Sequence, residues 1–516
     1  MTTLKPRQPY TDDELKKLYP AHLELQQVQI LLRHGERTPV GARFKNTGLA
    51  PYWPYCTAAK QLRDTVLAGK ANWDTLQWAR RLETFTSTDG AAGDVPTLAS
   101  GAKGEVEGIC ESGELTDRGR ETTLALGRRI RNLYIDRLNF LPATVQPQTD
   151  ADVYVRSTPI PRARESVQQA YTGLYPPTAR AAGLPPKPIV SRSFADETLY
   201  PNEGGCPRFR ELAAQFAART ADLYNGGAQL EYVNSKIGKW MPKESPTVKV
   251  DSHPRLSGIM DTINATRAHG PNTRLPNEFY DEKVISNIDR ICTEEWFVGY
   301  QESNEYRTLG IGGLVGDLTQ RMVEHVRHAS SPRKPVGAGV RGGDFKLMLA
   351  GCHDTTIAST LTSLGAFDVA KDTWPNFTSN IAFELFRKAG GASASLSTPP
   401  AMSGVQQKSW LSSLFTSAAK VATAAPSARE PLSDLPSEER EKLSGYFVRL
   451  RYNDKPITLP YCAKAGRHLE GDESFCTLEA FKEAADSFTP KNWKQQCRMN
   501  LGKPAMPPVV ERPPGV

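Results

Sequence analysis

The 516-residue sequence contains no long hydrophobic run, and no hydrophobic segment opens it. No apolar stretch approaches the ~18 residues that a membrane-spanning helix needs. The opening residues, MTTLKPRQPYTDDELKKLYP, have no apolar core of the kind found in secretory signal peptides. The acidic residues Asp12, Asp13 and Glu14 also argue against an amphipathic transit peptide. We therefore expect an intracellular protein that is not secreted, located in the cytoplasm or, as the alternative, in mitochondria.

Cysteine patterns that bind metals are also missing. The eight cysteines are scattered along the chain, with no C-x-x-C pair and no zinc-like pairing with histidines. This argues against a structural metal site. Cysteines of intracellular proteins remain reduced, so we expect free thiols.

Long runs of basic residues are lacking as well. The chain has 64 Lys and Arg against 57 Asp and Glu, a net charge of +7, and the two signs are interleaved. This pattern argues against nucleic acid as a partner. The small positive excess favours anionic substrates or surfaces.

The most informative stretch runs from Gln27 to Pro39 and reads QVQILLRHGERTP. Its apolar first half predicts a buried strand, and the polar residues that follow predict a loop at the strand's carboxyl end. Ligands of open α/β sheets bind at that end. Arg33, His34 and Arg37 are crowded together there, and their mutual repulsion is relieved when an anion lies between them. Phosphate fits this requirement because a guanidinium donates to two oxygens at once.

The segment Arg33-His34-Gly35-x-Arg37-x-Pro39 resembles the RHGxRxP signature of the histidine acid phosphatases, a branch of the histidine phosphatase superfamily. The resemblance implies that His34 is a nucleophile that becomes transiently phosphorylated. A solvated basic turn after a strand is the alternative that the residues alone leave open. Further similarity to the family lies in four segments, 114–119, 152–176, 344–357 and 447–497.

The segment 152–176 contains a second strand that ends on an arginine. The strand stops at Arg156-Ser157-Thr158, and a helical pattern follows from about Ala163. The resemblance implies that Arg156 is a phosphate ligand. Arg162 and Arg164 lie further along, and we expect them on the surface of the helix.

A third strand, at 344–351, runs into His353 and Asp354 and then into another helical pattern. The N-terminus of a helix directs backbone N–H groups and the positive end of its dipole outward, which suits a bound phosphate. The resemblance makes this His-Asp pair the second half of the family signature.

These segments together predict one phosphate site. The phosphate-binding residues are Arg33, Arg37, Arg156 and His353, and the catalytic pair is His34 and Asp354. Neutral His34 attacks phosphorus, and the acid form of Asp354 protonates the leaving oxygen. We expect no metal and no cofactor, because arginines neutralise the phosphate. An acidic pH optimum follows from the proton that Asp354 must carry.

The alternation of strands and helices predicts an α/β fold, with a central mixed sheet flanked by helices on both faces and a smaller, mainly helical cap domain. We place the N-terminal lead-in at 1–20 and the discontinuous core at 21–176 and 337–500. Helical patterns joined by Pro- and Gly-rich turns assign 177–336 to the cap. A Pro-rich tail follows at 501–516.

Residues 389–437 interrupt the core pattern. Ser, Ala, Gly and Pro dominate this insertion, so we expect most of it to be flexible. Within it, 408–422 has apolar residues near helical spacing with lysines beside them, which allows contact with a membrane surface or a partner protein. A short helix packed on its own domain, or no stable structure, is the alternative.

The predicted substrate is a small-molecule or lipid phosphate monoester. Intracellular members of the resembled family include phosphatases acting on lysophosphatidic acid, and others act on inositol phosphates, which form the alternative. Two further alternatives are a non-catalytic scaffold that binds a phosphorylated ligand and a member of the phosphoglycerate mutase branch. The family residues in this sequence do not distinguish these substrates, because proteins that share a fold act on many different substrates.

Overall fold

The centre of the structure is a mixed β-sheet. The computed structural model describes residues 8–60, 62–67, 73–78, 80–87, 94–328, 344–389 and 429–516. The strands in this part of the chain are β1 (Leu23–Arg33), β2 (Leu62–Leu67), β3 (Trp73–Trp78), β4 (Glu83–Ser87), β5 (Asp94–Leu98), β6 (Val153–Ser157), β7 (Leu347–Cys352), β8 (Asn380–Lys388), β9 (Tyr446–Tyr452), β10 (Lys455–Ile457), β11 (His468–Leu469) and β12 (Asp472–Thr477).

The order of the strands brings three carboxyl ends to one edge. The sheet runs β11-β12-β9-β8-β1-β7-β6, with β10 beside β9, and β2–β3 and β4–β5 form separate two-stranded sheets. Strands β1, β7 and β6 are parallel, and the pairs from β1–β8 outward are antiparallel. Arg33 pairs with Cys352, and Ser157 pairs with Gly351. The loops that follow these three strands therefore lie side by side.

Helices cover both faces of this sheet. The α-helices of the described residues are α1 (Asp12–Leu18), α2 (Asp117–Arg131), α3 (Pro161–Leu174), α4 (Pro207–Tyr224), α5 (Ala228–Ile237), α6 (Leu256–His269), α7 (Glu282–Glu302), α8 (Asn304–Arg307), α9 (Gly313–His328), α10 (Asp354–Ser363), α11 (Ser437–Glu441), α12 (Leu478–Asp486) and α13 (Trp493–Gln496).

The side chains of β1 alternate between the two helical layers. Val28, Ile30 and Leu32 lie in one core with residues of α2 and α3. Leu31 lies in another core with residues of α9, α10 and α12. Because successive residues of a strand point to opposite faces, β1 is buried on both sides, and its run of apolar residues follows from that position. The predicted fold, a mixed sheet between helices, is confirmed.

The helices α4 to α9 occupy most of the region predicted to be a cap. Residues of these helices share one continuous core with the sheet and with α10. Because this hydrophobic core is continuous, it shows no boundary between a sheet domain and a cap domain. The predicted domain division therefore stays a prediction. Of the predicted insertion, 390–428 lies outside the described residues, and so does the 408–422 segment within it.

The C-terminal tail contains no helix or strand after α13 but is attached to the body. Arg307 donates to the carbonyl oxygens of Glu511 (2.9 Å) and Arg512 (3.2 Å). Buried Arg208 donates to the carbonyl of Lys503 at 2.8 Å. Arginine side chains thus hold a Pro-rich segment that cannot form a regular ladder of its own.

Six of the eight cysteines form disulfides, so the expectation of free thiols is wrong for them. The pairs are Cys56–Cys110, Cys206–Cys497 and Cys462–Cys476, and Cys292 and Cys352 are buried free thiols. The partners are separated by 54, 291 and 14 residues. Only the folded chain brings them together, and no local spacing indicates the pairing.

No helix within the described ranges is long and apolar enough to cross a membrane.

Candidate active site

The carboxyl end of β1 places Arg33 against the start of α10. The Arg33 guanidinium lies 2.7 Å from Oδ2 of Asp354 and 4.2 Å above the ring of Phe377. It also donates to the carbonyl of Pro375. These contacts fix a buried cation at the edge of the sheet where β1 and β7 end.

His34 is buried and holds a defined tautomer. Its Nδ1 lies 2.9 Å from the carbonyl oxygen of Gly35. A carbonyl only accepts, so Nδ1 donates its proton and Nε2 carries the lone pair. Burial lowers the pKa of His34 well below its usual range, and the charges of Arg162, Arg33 and Arg37 lower it further. The imidazole is therefore neutral and nucleophilic even in acidic solution.

Gly35 allows this loop to lie directly on the first turn of α2. A Cβ at Gly35 would come within 2.3 Å of the carbonyl oxygen of Gly119. The loop is also fixed by hydrogen bonds, because the amide of Gly35 donates to Ser166 Oγ (3.1 Å) and the amide of Thr116 donates to the Glu36 carbonyl (3.0 Å). Only glycine permits this close contact between the loop that carries His34 and helix α2.

Asp261 connects α6 to the other side of the site. Its Oδ1 accepts from Arg37 at 2.6 Å, and its Oδ2 accepts from the amide of Val40 at 2.9 Å and from Arg43 at 3.2 Å. The carboxylate thus fixes Arg37, a residue of the β1 loop, from within the helical region. The sequence analysis did not identify Asp261.

His353 and Asp354 follow β7 directly. The ring of His353 lies 5.6 Å from the ring of His34, measured between centroids. Its Nε2 is 3.0 Å from Thr158 Oγ1. Burial lowers the pKa of His353 to about 3, and the charge of Arg162 adds to this effect. His353 is therefore a neutral group beside His34.

Asp354 is held as a carboxylate when the site contains no phosphate. Burial acts to raise the pKa of Asp354, but the charges of Arg33 and Arg37 and a hydrogen bond from Trp374 outweigh burial and lower it below its usual value. The bond runs from Trp374 Nε1 to Oδ2 over 3.1 Å. The carboxylate is thus stabilised by the cations that we expect to bind phosphate.

Arg156 does not lie with these residues, and this part of the predicted site is corrected. Its guanidinium is 2.7 Å from Glu197 and 3.7 Å from Asp317, and both carboxylates are buried. The phosphate-binding role predicted for Arg156 fits Arg162 instead. Among the neighbouring charges, that of Arg162 lowers the pKa of both His34 and His353 the most. The site therefore unites Arg33, His34, Arg37, His353 and Asp354 with Arg162.

The three arginines of the site share one further property. In the part of the chain that the structure describes, Arg33, Arg37 and Arg162 each have a buried Nε with no hydrogen-bond partner. Burial and the charge of Arg37 lower the pKa of Arg162 to about 10. Buried donors without partners raise the free energy of the site, and an anion that accepts from all three would satisfy them.

A cavity of about 330 Å³ opens above this cluster. Arg33, Arg37 and Asp354 line its inner end, and its other walls come mainly from α6 and from aromatic residues. This volume is at the lower end of the range for small-molecule sites. The cavity leads an incoming ester to the cluster.

The sequence model of the histidine phosphatase superfamily, branch 2, matches residues 24–412. The chain belongs to this family. A probable acid phosphatase of Schizosaccharomyces pombe is 35% identical over 482 residues, which cover 93% of this chain and 95% of that protein. The human lysophosphatidic acid phosphatase type 6 is 25% identical over 375 residues, covering 71% and 74% of the two chains. The predicted family is confirmed.

A solved histidine phosphatase structure supports the fold alone. The phytase of Hafnia alvei in complex with myo-inositol hexakis sulphate matches with a TM-score of 0.50 and 12% identity, over 93% of this chain and 99% of that one. At this identity the likeness concerns the arrangement of helices and strands and not the substrate.

Three residues of this histidine phosphatase site were missed by the sequence analysis: Arg162, Asp261 and Trp374. Only Arg162 gave a signal, since it lies in the first turn of α3, where a cation opposes the helix dipole. Arg164 lies in the same turn, so this position marks both arginines and does not separate them. Asp261 and Trp374 are far from the signature in sequence, and only the fold places them next to Arg37 and Asp354.

Proposed function

We propose that this histidine phosphatase is an acid phosphatase that hydrolyses phosphate monoesters through a phosphohistidine on His34. The observation that supports it is the neutral His34, with its Nε2 lone pair available, next to buried guanidinium groups whose Nε donors lack partners. A phosphate ester resists attack because its oxygens are negative. Arg33, Arg37 and Arg162 neutralise that charge and stabilise it further in the transition state.

In the first step Nε2 of His34 attacks phosphorus, and the bond between phosphorus and the ester oxygen breaks. The leaving oxygen takes a proton from the carboxyl group of Asp354. Bound phosphate competes for Arg33 and brings negative charge close to Asp354, and both effects raise the pKa of Asp354. Acidic solution then supplies the proton that the carboxyl group donates.

In the second step water attacks the phosphohistidine, and the phosphorus–nitrogen bond breaks. The Asp354 carboxylate accepts a proton from that water, which regenerates the acid form. Inorganic phosphate leaves, and His34 returns to its neutral state. His353 contributes a neutral ring beside the phosphoryl group.

The test is the release of p-nitrophenol from p-nitrophenyl phosphate in acidic buffer, together with trapping of the intermediate. Rapid quenching with a 32P-labelled ester is expected to give an acid-labile, base-stable label on the protein. His34→Ala is expected to abolish both label and turnover. His22→Asn is the control, because His22 is an exposed histidine at the surface. Turnover by folded His34→Ala that matches the wild type would exclude this mechanism.

The identity of the natural substrate is a second, more specific proposal. The name of the human relative, a lysophosphatidic acid phosphatase, supports a lipid phosphate monoester, and an inositol polyphosphate is the second candidate. Comparing kcat/KM for lysophosphatidate and inositol hexakisphosphate distinguishes the two. A scaffold without activity is disfavoured by the intact set of nucleophile, acid and phosphate ligands.

We infer further that the protein works in an oxidising compartment. Three disulfides form and persist where thiols are not kept reduced. This favours such a compartment over the cytoplasm that the sequence analysis expected. Fractionation of the cells that express the chain tests the location directly.

A further inference from the structure

The cavity above the phosphate site contains two cations beyond the phosphate ligands, and both are paired. Arg43 is 3.2 Å from Oδ2 of Asp261. Arg255 forms an ion pair with Glu295, whose side chain is only 2% exposed. The described lining of the cavity contains no lysine. A second phosphate group on the substrate would therefore compete with a carboxylate for each of these arginines.

The wall next to Asp354 is aromatic. Trp374, whose indole donates to Asp354, lies with its ring 6.0 Å from that of Trp296 in an edge-to-face arrangement. Trp296 is 37% exposed and lines the cavity. Trp374 also packs on Phe297, with 4.9 Å between centroids. A continuous aromatic surface thus extends from the general acid to solvent.

Three further apolar residues line the cavity: Val40, Pro254 and Met260. Of these, Val40 is 47% exposed. Apolar side chains in the lining of a cavity are typical of sites that take an apolar ligand. The cavity thus combines apolar lining residues with the phosphate-binding arginines, and its two further arginines are each paired with a carboxylate.

The position of Asp354 determines which part of the substrate meets this surface. In the proposed mechanism, on which this inference depends, Asp354 protonates the leaving oxygen. The organic group on that oxygen must then lie beside Trp374 and extend toward Trp296. A charged group on the substrate near Arg43 or Arg255 would also meet Asp261 or Glu295, the carboxylates paired with them.

We propose that the site selects esters with one phosphate and an apolar organic group, aromatic or acyl, over esters that carry several phosphates. The phosphate occupies the three arginines, and the organic group packs against Trp374 and Trp296. Selectivity comes from two sources: burial of apolar surface, and competition from Asp261 and Glu295 for the arginines that further phosphates would need.

Binding of probes that cannot be hydrolysed tests this selectivity apart from catalysis. Calorimetry on the full chain at about 0.15 M salt, where long-range charge effects are screened, would compare methylphosphonate, benzylphosphonate, octylphosphonate and myo-inositol hexakis sulphate. We expect one or both apolar phosphonates to bind about tenfold or more tightly than methylphosphonate. The benzyl and octyl probes distinguish an aromatic from an acyl group. The hexakis sulphate is expected to bind no more tightly than methylphosphonate.

A pair of variants locates the effect. Trp296→Ala is expected to reduce the preference for benzylphosphonate over methylphosphonate by about three- to tenfold. Leu223→Ala is the matched control, because Leu223 is a large apolar residue on α4 that is 62% exposed and does not line the cavity. The control is expected to keep the full preference.

Each outcome decides one question. If the hexakis sulphate binds most tightly, or if the apolar phosphonates bind no better than methylphosphonate, the proposed selectivity is wrong. If the apolar phosphonates bind selectively but p-nitrophenyl phosphate is not hydrolysed, the apolar subsite stands and the proposed function fails. Loss of preference in Leu223→Ala equal to that in Trp296→Ala would also overturn the placement of the subsite.

Discussion

The chemistry of single residues in this site is controlled by their neighbours. Arg33, Arg37 and Trp374 keep Asp354 ionised in the absence of phosphate. Burial lowers the pKa of His34 and keeps the ring neutral, and the charges of Arg162, Arg33 and Arg37 add to this effect. Arg33 and Arg37 therefore act on both protonation states, and a bound phosphate opposes their effect on Asp354 by adding negative charge.

Trp374→Phe is expected to move the alkaline limb of the pH profile of kcat. Loss of the indole hydrogen bond removes a contact that stabilises the carboxylate, so the pKa of Asp354 rises. The acid form of Asp354 then persists to higher pH, and the alkaline limb of the profile moves to higher pH by roughly half to one pH unit. Trp296→Phe is the control, since Trp296 does not donate to Asp354. An unchanged limb in Trp374→Phe would show that the hydrogen bond does not act on the general acid.

The lowered pKa of His34 also makes folding stability depend on pH. Below about 6.5 the unfolded chain binds a proton at this histidine and the folded chain does not, so stability is lost as the pH falls below that value. His34 is 1% exposed, and the slope for one such group is about 1.4 kcal/mol per pH unit. Urea unfolding of wild type and His34→Asn at pH 6 and pH 5, without phosphate, measures this. We expect a smaller loss in the variant, and equal losses would contradict a neutral buried His34.

At the scale of elements, the sequence predicted the strands and loops of the site but misplaced one side chain. β1 and β7 could be predicted because apolar runs end sharply in charged residues. β6 shows why Arg156 was misplaced. Val153 and Val155 face the core shared with α2 and α3, so Tyr154 and Arg156 point to the other face, toward Glu197 and Asp317. The alternation of side chains along Val153, Tyr154, Val155 and Arg156 thus outweighs the position of Arg156 at the strand end.

Substitution of the two arginines separates catalysis from stability. Arg162→Ala is expected to lower kcat/KM for p-nitrophenyl phosphate by roughly 10- to 150-fold, because it removes a charged donor to phosphate. Arg156→Ala is expected to lower the free energy of unfolding by about 3 kcal/mol, because buried Glu197 loses its partner, with kcat/KM per folded molecule nearly unchanged. Arg164→Ala, at an exposed position of the same helix, should change neither quantity. The opposite result for Arg156 and Arg162 would restore the original assignment.

At the scale of the whole molecule, the long-range covalent links were beyond prediction. The disulfide Cys206–Cys497 joins the beginning of α4 to the end of α13 across 291 residues. No periodicity or spacing indicates a partner at that distance, because the pairing depends on the packing of the helical region against the C-terminal segment. The limits of the domains could not be predicted either, because one hydrophobic core includes residues of the sheet and of α4 to α9.

Counting thiols tests the covalent structure. Under denaturing, non-reducing conditions we expect about two reactive thiols per chain, those of Cys292 and Cys352. After reduction all eight cysteines should react. Titration with a chromogenic disulfide reagent gives both numbers. Eight thiols before reduction would show that the protein carries no disulfides and would restore the cytoplasmic expectation.

The central place of β1 has a consequence for biosynthesis. The strand that carries the nucleophile leaves the ribosome long before both of its neighbours, β7 and β8. Roughly 310 residues separate Arg33 from Leu347, which at usual rates of translation means a delay of about 15 to 60 s. During that interval an apolar segment with two unpaired edges is available to chaperones, and the enzyme can become active only after β7, β8 and the residues of the site that follow β7 have been made.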